Sequence, residues 1–302
     1  MDSKKLYYYT DFNTFKLILQ NSTLRFKEST SSNDNYDTIQ LYDNLFDMAI
    51  KKLDTCELKD EQKFFFDMLK HIGAKSSRIS LVACFTSKAD SRMLWDAYTM
   101  HRKDRASERY NGVCIELFEN ELLNTMKKST PQFDIKGCHE IVYGFDRIND
   151  VLDKYLDEYS TEVFEMSQEE DQTQNIVPPI PIPFTQKVME LKKCIVIPTL
   201  RLIDKIDTAA PFFKHLFWRE ECETRALLST KKGGSFAQTL NRYSDGSAYF
   251  DLLITKNCIS KVILGPEFSQ DDIDSLQALE TKINFRELIT TPSEGTGVIT
   301  NR

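Results

Sequence analysis

The stretch that decides the fold runs from Phe217 to Leu228 and has the sequence Phe-Trp-Arg-Glu-Glu-Cys-Glu-Thr-Arg-Ala-Leu-Leu. If it is a β-strand, side chains alternate between two faces, so Glu221, Glu223 and Arg225 share one face. Two carboxylates on the core-facing side of a strand are costly unless they are paired or used in chemistry. A helix of the same residues would point the carboxylates in different directions, and a solvated charge run is the simplest alternative. The strand interpretation alone predicts a functional carboxylate pair.

Length and composition indicate a soluble globular protein. The chain has 302 residues, of which 41% are hydrophobic and 28% charged, and 20 Phe and 12 Tyr supply a substantial core. No apolar run approaches the roughly 18 residues that cross a bilayer, and the first residues lack the apolar stretch of a signal peptide. The net charge of −7 argues against general nucleic-acid coating. We expect one domain, residues 1–302, in the cytoplasm and without membrane association.

The cysteines and histidines indicate neither a disulfide framework nor a metal site. The seven cysteines are scattered without a C-x-x-C pair, and several lie in apolar runs, which is typical of buried, reduced thiols. The four histidines show no metal-ligand spacing. The acid-rich loop from Asn33 to Asp37 lacks the glycine and terminal glutamate of a calcium loop and predicts a capping turn. The serine-hydrolase motif and the glycine-rich phosphate-binding motifs are also absent.

Short strand-like segments alternate with helical segments, without a regular β-α-β rhythm. This order favours an α+β fold with a mostly antiparallel sheet. Residues 36–72 predict two helices, and residues 146–206 predict a helical insertion broken at Pro198. Within this insertion, residues 177–183 are proline-rich and predict an extended linker. The polar tail, residues 292–302, is predicted to be loose. Strands are predicted for residues 6–10, 23–26, 79–87, 112–117, 139–143, 250–254, 259–265 and 284–289.

Three separate segments carry side chains suited to binding a nucleotide. They are residues 7–10, residues 84–98 and the Glu221-x-Glu223 pair. Aromatic rings stack on flat heterocycles such as nicotinamide and adenine, and a carboxylate stabilises an oxocarbenium-like transition state when an N-glycosidic bond breaks. Each segment alone also has an ordinary structural interpretation. The tyrosines pack a strand, Trp95 and Tyr98 share one helix face, and Thr86 with Ser87 caps a helix.

Taken in order, these segments resemble a widespread bacterial domain family of unknown function. Its members carry L-Y-H-Y-T near the start, then N-D-P, C-F-S, M-W-x-x-Y and, late in the chain, W-x-x-E-x-E-x-R. The resemblance spans residues 6–266, and the spaced set is more specific than any single motif. The matching residues here are Leu6-Tyr7-x-Tyr9-Thr10, Leu24-Arg25-Phe26, Asn33-Asp34, Cys84-Phe85-Thr86, Leu94-Trp95-x-x-Tyr98, Gly112-Val113-Cys114-Ile115, Val142-Tyr143, Trp218-x-x-Glu221-x-Glu223-x-Arg225 and Val262-Ile263-Leu264-Gly265-Pro266.

More remotely, the motif order resembles the ADP-ribosyltransferase superfamily. That resemblance implies two packed, mostly antiparallel sheets that form a cleft for NAD, decorated by helices. It assigns Glu223 as the catalytic glutamate and Glu221 as the residue that orients or deprotonates the acceptor. Tyr8 stands at the first-strand position where the family has His, and the cleft-facing side of the Glu223 strand is expected to approach Tyr8 and Ser87. The implied NAD-binding residues are Tyr8, Tyr9, Thr10, Phe85, Thr86, Ser87, Arg92, Trp95 and Tyr98.

The resemblance implies an NAD-consuming ADP-ribosyltransferase that modifies a macromolecule. Bacterial transferases of this kind serve as toxins or phage-defence effectors, often paired with a neutralising antitoxin protein. The basic segment 101–109 slightly favours RNA or DNA over protein as the acceptor, although a solvated surface loop explains it too. Two alternatives stay open. The first is a non-catalytic ligand-binding or sensing module with the same cleft, and the second is a metal-dependent nuclease that uses Glu221, Glu223 and Asp34.

Overall fold

The structure is a computed structural model that describes most of the chain. The described residues are 4–31, 39–54, 60–71, 78–99, 112–168, 193–265, 267–277, 279 and 289–290. Sequence predictions outside these residues are the Asn33 to Asp37 turn, the basic segment 101–109, the proline-rich linker 177–183, residues 284–288 of the last predicted strand and the tail 292–302.

Most of the strands overlap the runs of apolar, β-branched and aromatic residues that predict them, whereas β7 and β9 were not predicted. The longest are β3, which contains the Ile79 to Phe85 apolar run, and β8, which contains Glu223. The described strands are β1 (Lys5–Thr10), β2 (Thr23–Glu28), β3 (Arg78–Thr86), β4 (Val113–Phe118), β5 (Ile135–Glu140), β6 (Val142–Tyr143), β7 (Phe213–Lys214), β8 (Glu223–Lys231), β9 (Asn241–Arg242), β10 (Ala248–Leu253), β11 (Ile259–Leu264) and β12 (Ile289–Thr290).

The helices follow amphipathic segments with local start signals. Asp11 caps α1, where its carboxylate accepts a hydrogen bond from the Thr14 backbone N–H at 2.9 Å. The described helices are α1 (Phe12–Asn21), α2 (Ile39–Asp54), α3 (Asp60–His71), α4 (Arg92–Tyr98), α5 (Glu119–Ser129), α6 (Phe145–Gln168), α7 (Lys193–Ala209) and α8 (Gln270–Gln277). None of these helices combines the length and apolarity needed to cross a membrane.

Ten of the described strands form one curled, mostly antiparallel sheet that branches at β3. One branch runs β12-β11-β4-β1-β3 and continues through β8 to β5, and the other runs β3-β2-β10-β9. The β11–β12 pair is parallel, and β6 and β7 form a separate parallel pair. The predicted α+β class with a mostly antiparallel sheet is confirmed. The resemblance implies two packed sheets, whereas ten of the described strands belong to one branching sheet and β6 and β7 form a second, two-stranded one.

The described buried residues form two large hydrophobic cores and a smaller cluster around Tyr9, Trp95 and Ile263. One side of the sheet packs with α1 and α5 around residues such as Leu6, Phe26 and Leu81, each at most 1% exposed. Helices α2, α3, α6 and α7 form a second core of their own, and the Arg78–Asp204 ion pair at 2.7 Å connects β3 to α7. The described part of the predicted insertion 146–206 therefore belongs to this helical layer. The layer lies near the face of β8 that carries Glu223.

The predicted helix break at Pro198 is wrong. Helix α7 continues through Pro198 from Lys193 to Ala209. A proline inside a helix costs about 3 kcal/mol because it removes one backbone hydrogen bond and crowds the preceding turn. Burial of side chains such as Ile195, Leu202 and Ile206 in the second core stabilises the helix by more than that cost.

Candidate active site

The pairing of β3 with β8 determines which side chains meet. Antiparallel register places Glu223 opposite Thr86 and Arg225 opposite Cys84. Directly opposed residues of an antiparallel pair project on the same face, so these four side chains form one patch on two neighbouring strands. Strand β5 lies on the other side of β8, so β8 is an inner strand, and its residues 223–230 are all buried. The predicted strand placement of Glu223 and Arg225 is confirmed.

Glu221 is not on the strand, contrary to prediction. It ends a 3-10 turn, Leu216–Glu221, and the next residue, Cys222, has a left-handed backbone with φ of 46°. This reversal of backbone direction breaks the two-residue alternation that sequence analysis assumed. Thr86 Oγ1 donates a hydrogen bond to the Glu221 carbonyl at 2.7 Å, and the Ser87 N–H donates to the Cys222 carbonyl at 3.3 Å. The end of β3 therefore holds the turn that brings Glu221 back beside Glu223.

A cation from a third strand joins the two carboxylates. Lys214 on β7 places its Nζ 2.7 Å from Glu221 Oε2 and 2.9 Å from Glu223 Oε2. Arg225 Nε lies 2.7 Å from Glu223 Oε1, and its Nη1 donates to the Pro211 carbonyl at 2.7 Å. We call Lys214, Glu221, Glu223 and Arg225 the four-charge network. It is formally neutral, with two carboxylates and two cations.

The four-charge network is buried, which makes its pairing necessary. Glu221, Glu223, Lys214 and Arg225 are each 3 to 6% exposed. A buried charge is tolerated only when it is paired and hydrogen-bonded. Burial raises the pKa of Glu223, but the charges of Arg225 and Lys214 more than reverse this effect, so its pKa lies at about 2. Glu223 is therefore an anion throughout the physiological pH range.

Two further side chains connect the network to solvent. The Tyr98 hydroxyl donates a hydrogen bond to Glu221 Oε1 at 2.8 Å, and Tyr98 is 47% exposed. Cys84 is exposed, yet burial and then the charge of Glu223 raise the pKa of its thiol. Access to the carboxylates is therefore from the side of Tyr98 and Cys84.

Tyr8 and Phe85 are not part of this patch. Because Tyr7 is opposite Thr86 in the register, Tyr8 projects from the other face of the sheet. There its ring packs 5.9 Å from that of Phe85, which is 2% exposed, and burial raises the pKa of Tyr8 to about 12. The expected approach of Tyr8 to the cleft-facing side of Glu223 is therefore wrong. The physical reason is the two-residue alternation of β1, which directs Tyr7 rather than Tyr8 to the Glu223 side.

The remaining predicted binding residues serve packing and local hydrogen bonding. The Tyr9 and Trp95 rings meet edge to face at 5.0 Å, and Trp95 is 2% exposed with its Nε1–H donating to Asp90 at 2.8 Å. Thr10 is buried, and Arg92 is exposed with its Nε 4.0 Å from Asp96. In sum, the structure brings Glu221, Glu223, Thr86, Ser87 and Tyr98 together. It does not bring in Tyr8, Tyr9, Thr10, Phe85, Arg92 or Trp95.

Sequence analysis missed two contributors to the site. Lys214 is a single lysine next to Phe212 and Phe213, and that apolar setting was the only signal that its charge is buried. Tyr143 was noted only as part of a motif, and its hydroxyl accepts a hydrogen bond from the Glu223 N–H at 2.8 Å. Lys214 and Tyr143 are paired in the β6–β7 ribbon, which therefore supports the network from one side.

The charged side chains of the site are better suited to binding anions and transferring protons than to binding a metal ion. Among the described residues, no group of three or more His, Cys, Asp or Glu side chains is arranged to hold a metal ion. The Lys214 ammonium contacts both carboxylates at the position a bridging cation would take.

Comparison of the chain with protein-family models, with curated proteins and with solved structures gives no match.

Proposed function

We propose that this protein is an NAD-dependent ADP-ribosyltransferase with an ADP-ribosyltransferase-like arrangement of its sheet. The observation that carries the proposal is the placement of an ionised Glu223 beside Glu221, with Tyr98 and Cys84 leading from them to solvent. A carboxylate with a pKa of about 2 is ionised near neutral pH, and a negative charge stabilises a developing positive charge. Spaced motifs that resemble the superfamily support the same function.

The reaction has two bond changes at one carbon of NAD. The bond between nicotinamide and the ribose carbon breaks, and its electron pair leaves with nicotinamide. Glu223 stabilises the oxocarbenium-like ribose that forms, because its negative charge lies in a buried environment where charge interactions are strong. A nucleophilic oxygen or nitrogen of the acceptor then bonds to that carbon, and its proton passes to Glu221 or to solvent. Arg225 and Lys214 keep Glu223 ionised before NAD binds.

The acceptor is proposed to be a macromolecule, with RNA or DNA slightly preferred over protein. The resemblance also implies a role as a bacterial toxin or phage-defence effector with a neutralising antitoxin protein, and the proposal includes that role. Exposed aromatic residues beside Glu221 offer contact surface for an acceptor. Phe217 is 76% exposed and its ring lies 5.0 Å from that of Trp218. Such exposed rings commonly mark interaction sites.

The test is NAD turnover by the purified protein in the presence of a bacterial lysate. NAD labelled in its adenosine part follows transfer to macromolecules, and chromatography follows nicotinamide release. Glu223→Gln is expected to abolish both signals. Glu220→Gln is the matched control because Glu220 is a neighbouring glutamate whose side chain is 79% exposed. Equal turnover by the wild type and Glu223→Gln would contradict the proposal.

A second candidate, a ligand-binding or sensing module, is favoured by one specific observation. Each oxygen of Glu221 and Glu223 already has a hydrogen-bond partner, and the network is neutral. A closed network of this kind also suits a rigid structural centre. NAD that raises the unfolding temperature without nicotinamide release in any lysate would favour the module. Nucleic-acid degradation that needs added Mg²⁺ would favour the nuclease, whose third residue, Asp34, lies outside the described residues.

A further inference from the structure

Lys214 reaches the carboxylate pair from outside the main sheet. It lies at the end of the two-residue strand β7, whose parallel partner is β6. Tyr143 of β6 hydrogen-bonds the Glu223 N–H, so one small ribbon contacts the backbone and the carboxylate of Glu223. The ammonium lies 5.1 Å from the centre of the Trp218 ring, which offers a second favourable contact for a cation. The position of Lys214 Nζ is thus fixed from several sides.

The geometry assigns one task to this ammonium. Glu221 Oε2 and Glu223 Oε2 both contact the same nitrogen, so the carboxylates are close enough to repel each other strongly. Two buried carboxylates that share a site cannot both stay ionised without a compensating cation, and one of them then takes up a proton. Arg225 contacts Glu223, whereas Lys214 contacts both carboxylates, so Lys214 is the cation that bridges the pair.

We propose that Lys214 is a positioning residue that keeps Glu221 and Glu223 ionised together and in a single orientation. It acts through the two carboxylates and does not itself touch the substrate. Its importance for catalysis rests on the proposed transferase function, whereas its effect on the ionisation of the pair does not. Without the ammonium, the pair would take up one proton, and one carboxylate fewer would be left to accept a proton from the acceptor.

Other titratable groups face the pair from neighbouring elements of the described chain. Tyr98 on α4, Tyr143 on β6 and Cys84 on β3 have pKa values raised by burial, so they are neutral near pH 7 and supply no positive charge. Arg225 on β8 is a cation, and it pairs with Glu223.

The test is an infrared pH titration of the full chain labelled with ¹³C-glutamate. The C=O stretch of a protonated carboxyl reports proton uptake directly, and the label separates glutamate from aspartate. Lys214→Met is expected to show one protonated glutamate near neutral pH, with its midpoint shifted upward by about 2 to 4 pH units from an ordinary glutamate. The wild type and Lys214→Arg, which keeps the charge, are expected to show none.

Controls separate this effect from a general loss of charge. Lys205→Met removes a partly exposed lysine that pairs with Glu158 at 2.6 Å, and no protonated glutamate is expected near neutral pH. The band in Lys214→Met should disappear when Glu221→Gln is added. Lys214→Gln replaces Lys214→Met if the latter does not fold. A pair that stays ionised near pH 7 in the folded neutral variant would overturn the proposal.

The pH dependence of nicotinamide release is a second measurement, and it would not change if Lys214 had only a structural role. In Lys214→Met the rate should fall as the pH falls through the raised midpoint, whereas the wild-type rate should stay level there. Lys214→Arg should restore the wild-type profile. If the wild type releases no nicotinamide and the infrared result is as expected, the transferase function fails and the ionisation role stands. If the rate profile of Lys214→Met matches that of the wild type, the positioning role in catalysis is overturned.

Discussion

Replacing Glu223 by Gln tests whether the four-charge network depends on this carboxylate. Glu223 accepts charge-assisted hydrogen bonds from Arg225 at 2.7 Å and from Lys214 at 2.9 Å, and it is 6% exposed. Gln keeps the shape of the side chain but removes the charge. Two buried cations then remain beside the single carboxylate of Glu221, and Arg225 loses its ion pair with Glu223.

The expected cost follows from which cation loses its partner. Removing one member of a buried ion pair costs about 3–5 kcal/mol, because the other charge stays buried and uncompensated. Glu221→Gln should cost less, about 1.5–3 kcal/mol, because Lys214 then still contacts Glu223 and only hydrogen bonds to a charged group are lost. Glu220→Gln, at an exposed position, should change stability by less than about 0.5 kcal/mol.

Urea unfolding at neutral pH measures the free energy of unfolding for the three variants and the wild type. The expected order of destabilisation is Glu223→Gln, then Glu221→Gln, then Glu220→Gln. A cost below about 1 kcal/mol for Glu223→Gln, with an unchanged denaturant slope, would refute the network as described. Equal costs for the Glu221 and Glu223 variants would show that Arg225 does not depend on Glu223.

Three further predictions concern access and backbone strain. Tyr98→Phe should cost less than about 1 kcal/mol in urea unfolding, because water replaces the lost hydroxyl from the exposed side, and a cost above about 2 kcal/mol would show that Glu221 is sealed. Iodoacetamide should modify Cys84 faster as pH rises, and Glu223→Gln should shift this profile to lower pH, because Glu223 contributes to the raised thiol pKa. Identical profiles by mass spectrometry would contradict that coupling. Ser22→Gly should stabilise the protein by about 0.5–1 kcal/mol, because Ser22 has φ of 55° and a buried hydroxyl without a described hydrogen-bond partner, and a lower urea midpoint would refute this reasoning.

Much of the fold follows from local patterns. The apolar run from Ile79 to Phe85 predicts a strand and lies within the central strand β3. The two helices predicted within residues 36–72 are α2 and α3. Irregular alternation of strands and helices predicted the α+β class correctly. The single branching sheet was not predictable, because strand pairing joins segments far apart in the sequence, such as β3 with β8.

The candidate site was predicted less completely, for reasons of backbone geometry and long-range contact. The left-handed Cys222 removes Glu221 from the strand, and no glycine marked that position. The single strand predicted for residues 139–143 covers parts of two strands, β5 and β6. Ile141 lies between them and donates its N–H to the Glu223 carbonyl at 3.0 Å. Lys214 escaped notice because one lysine carries no pattern, and only tertiary packing shows which carboxylates it meets.

Nicotinamide release from NAD by the wild type, Glu223→Gln and Glu220→Gln tests the central claim most directly. All three proteins are assayed with the same lysate acceptors, after circular dichroism shows that each is folded. The transferase account predicts release by the wild type and Glu220→Gln, and a rate lower by about 100-fold or more in Glu223→Gln. Release that is equal in all three proteins, or absent from the folded wild type with every acceptor pool, would contradict it.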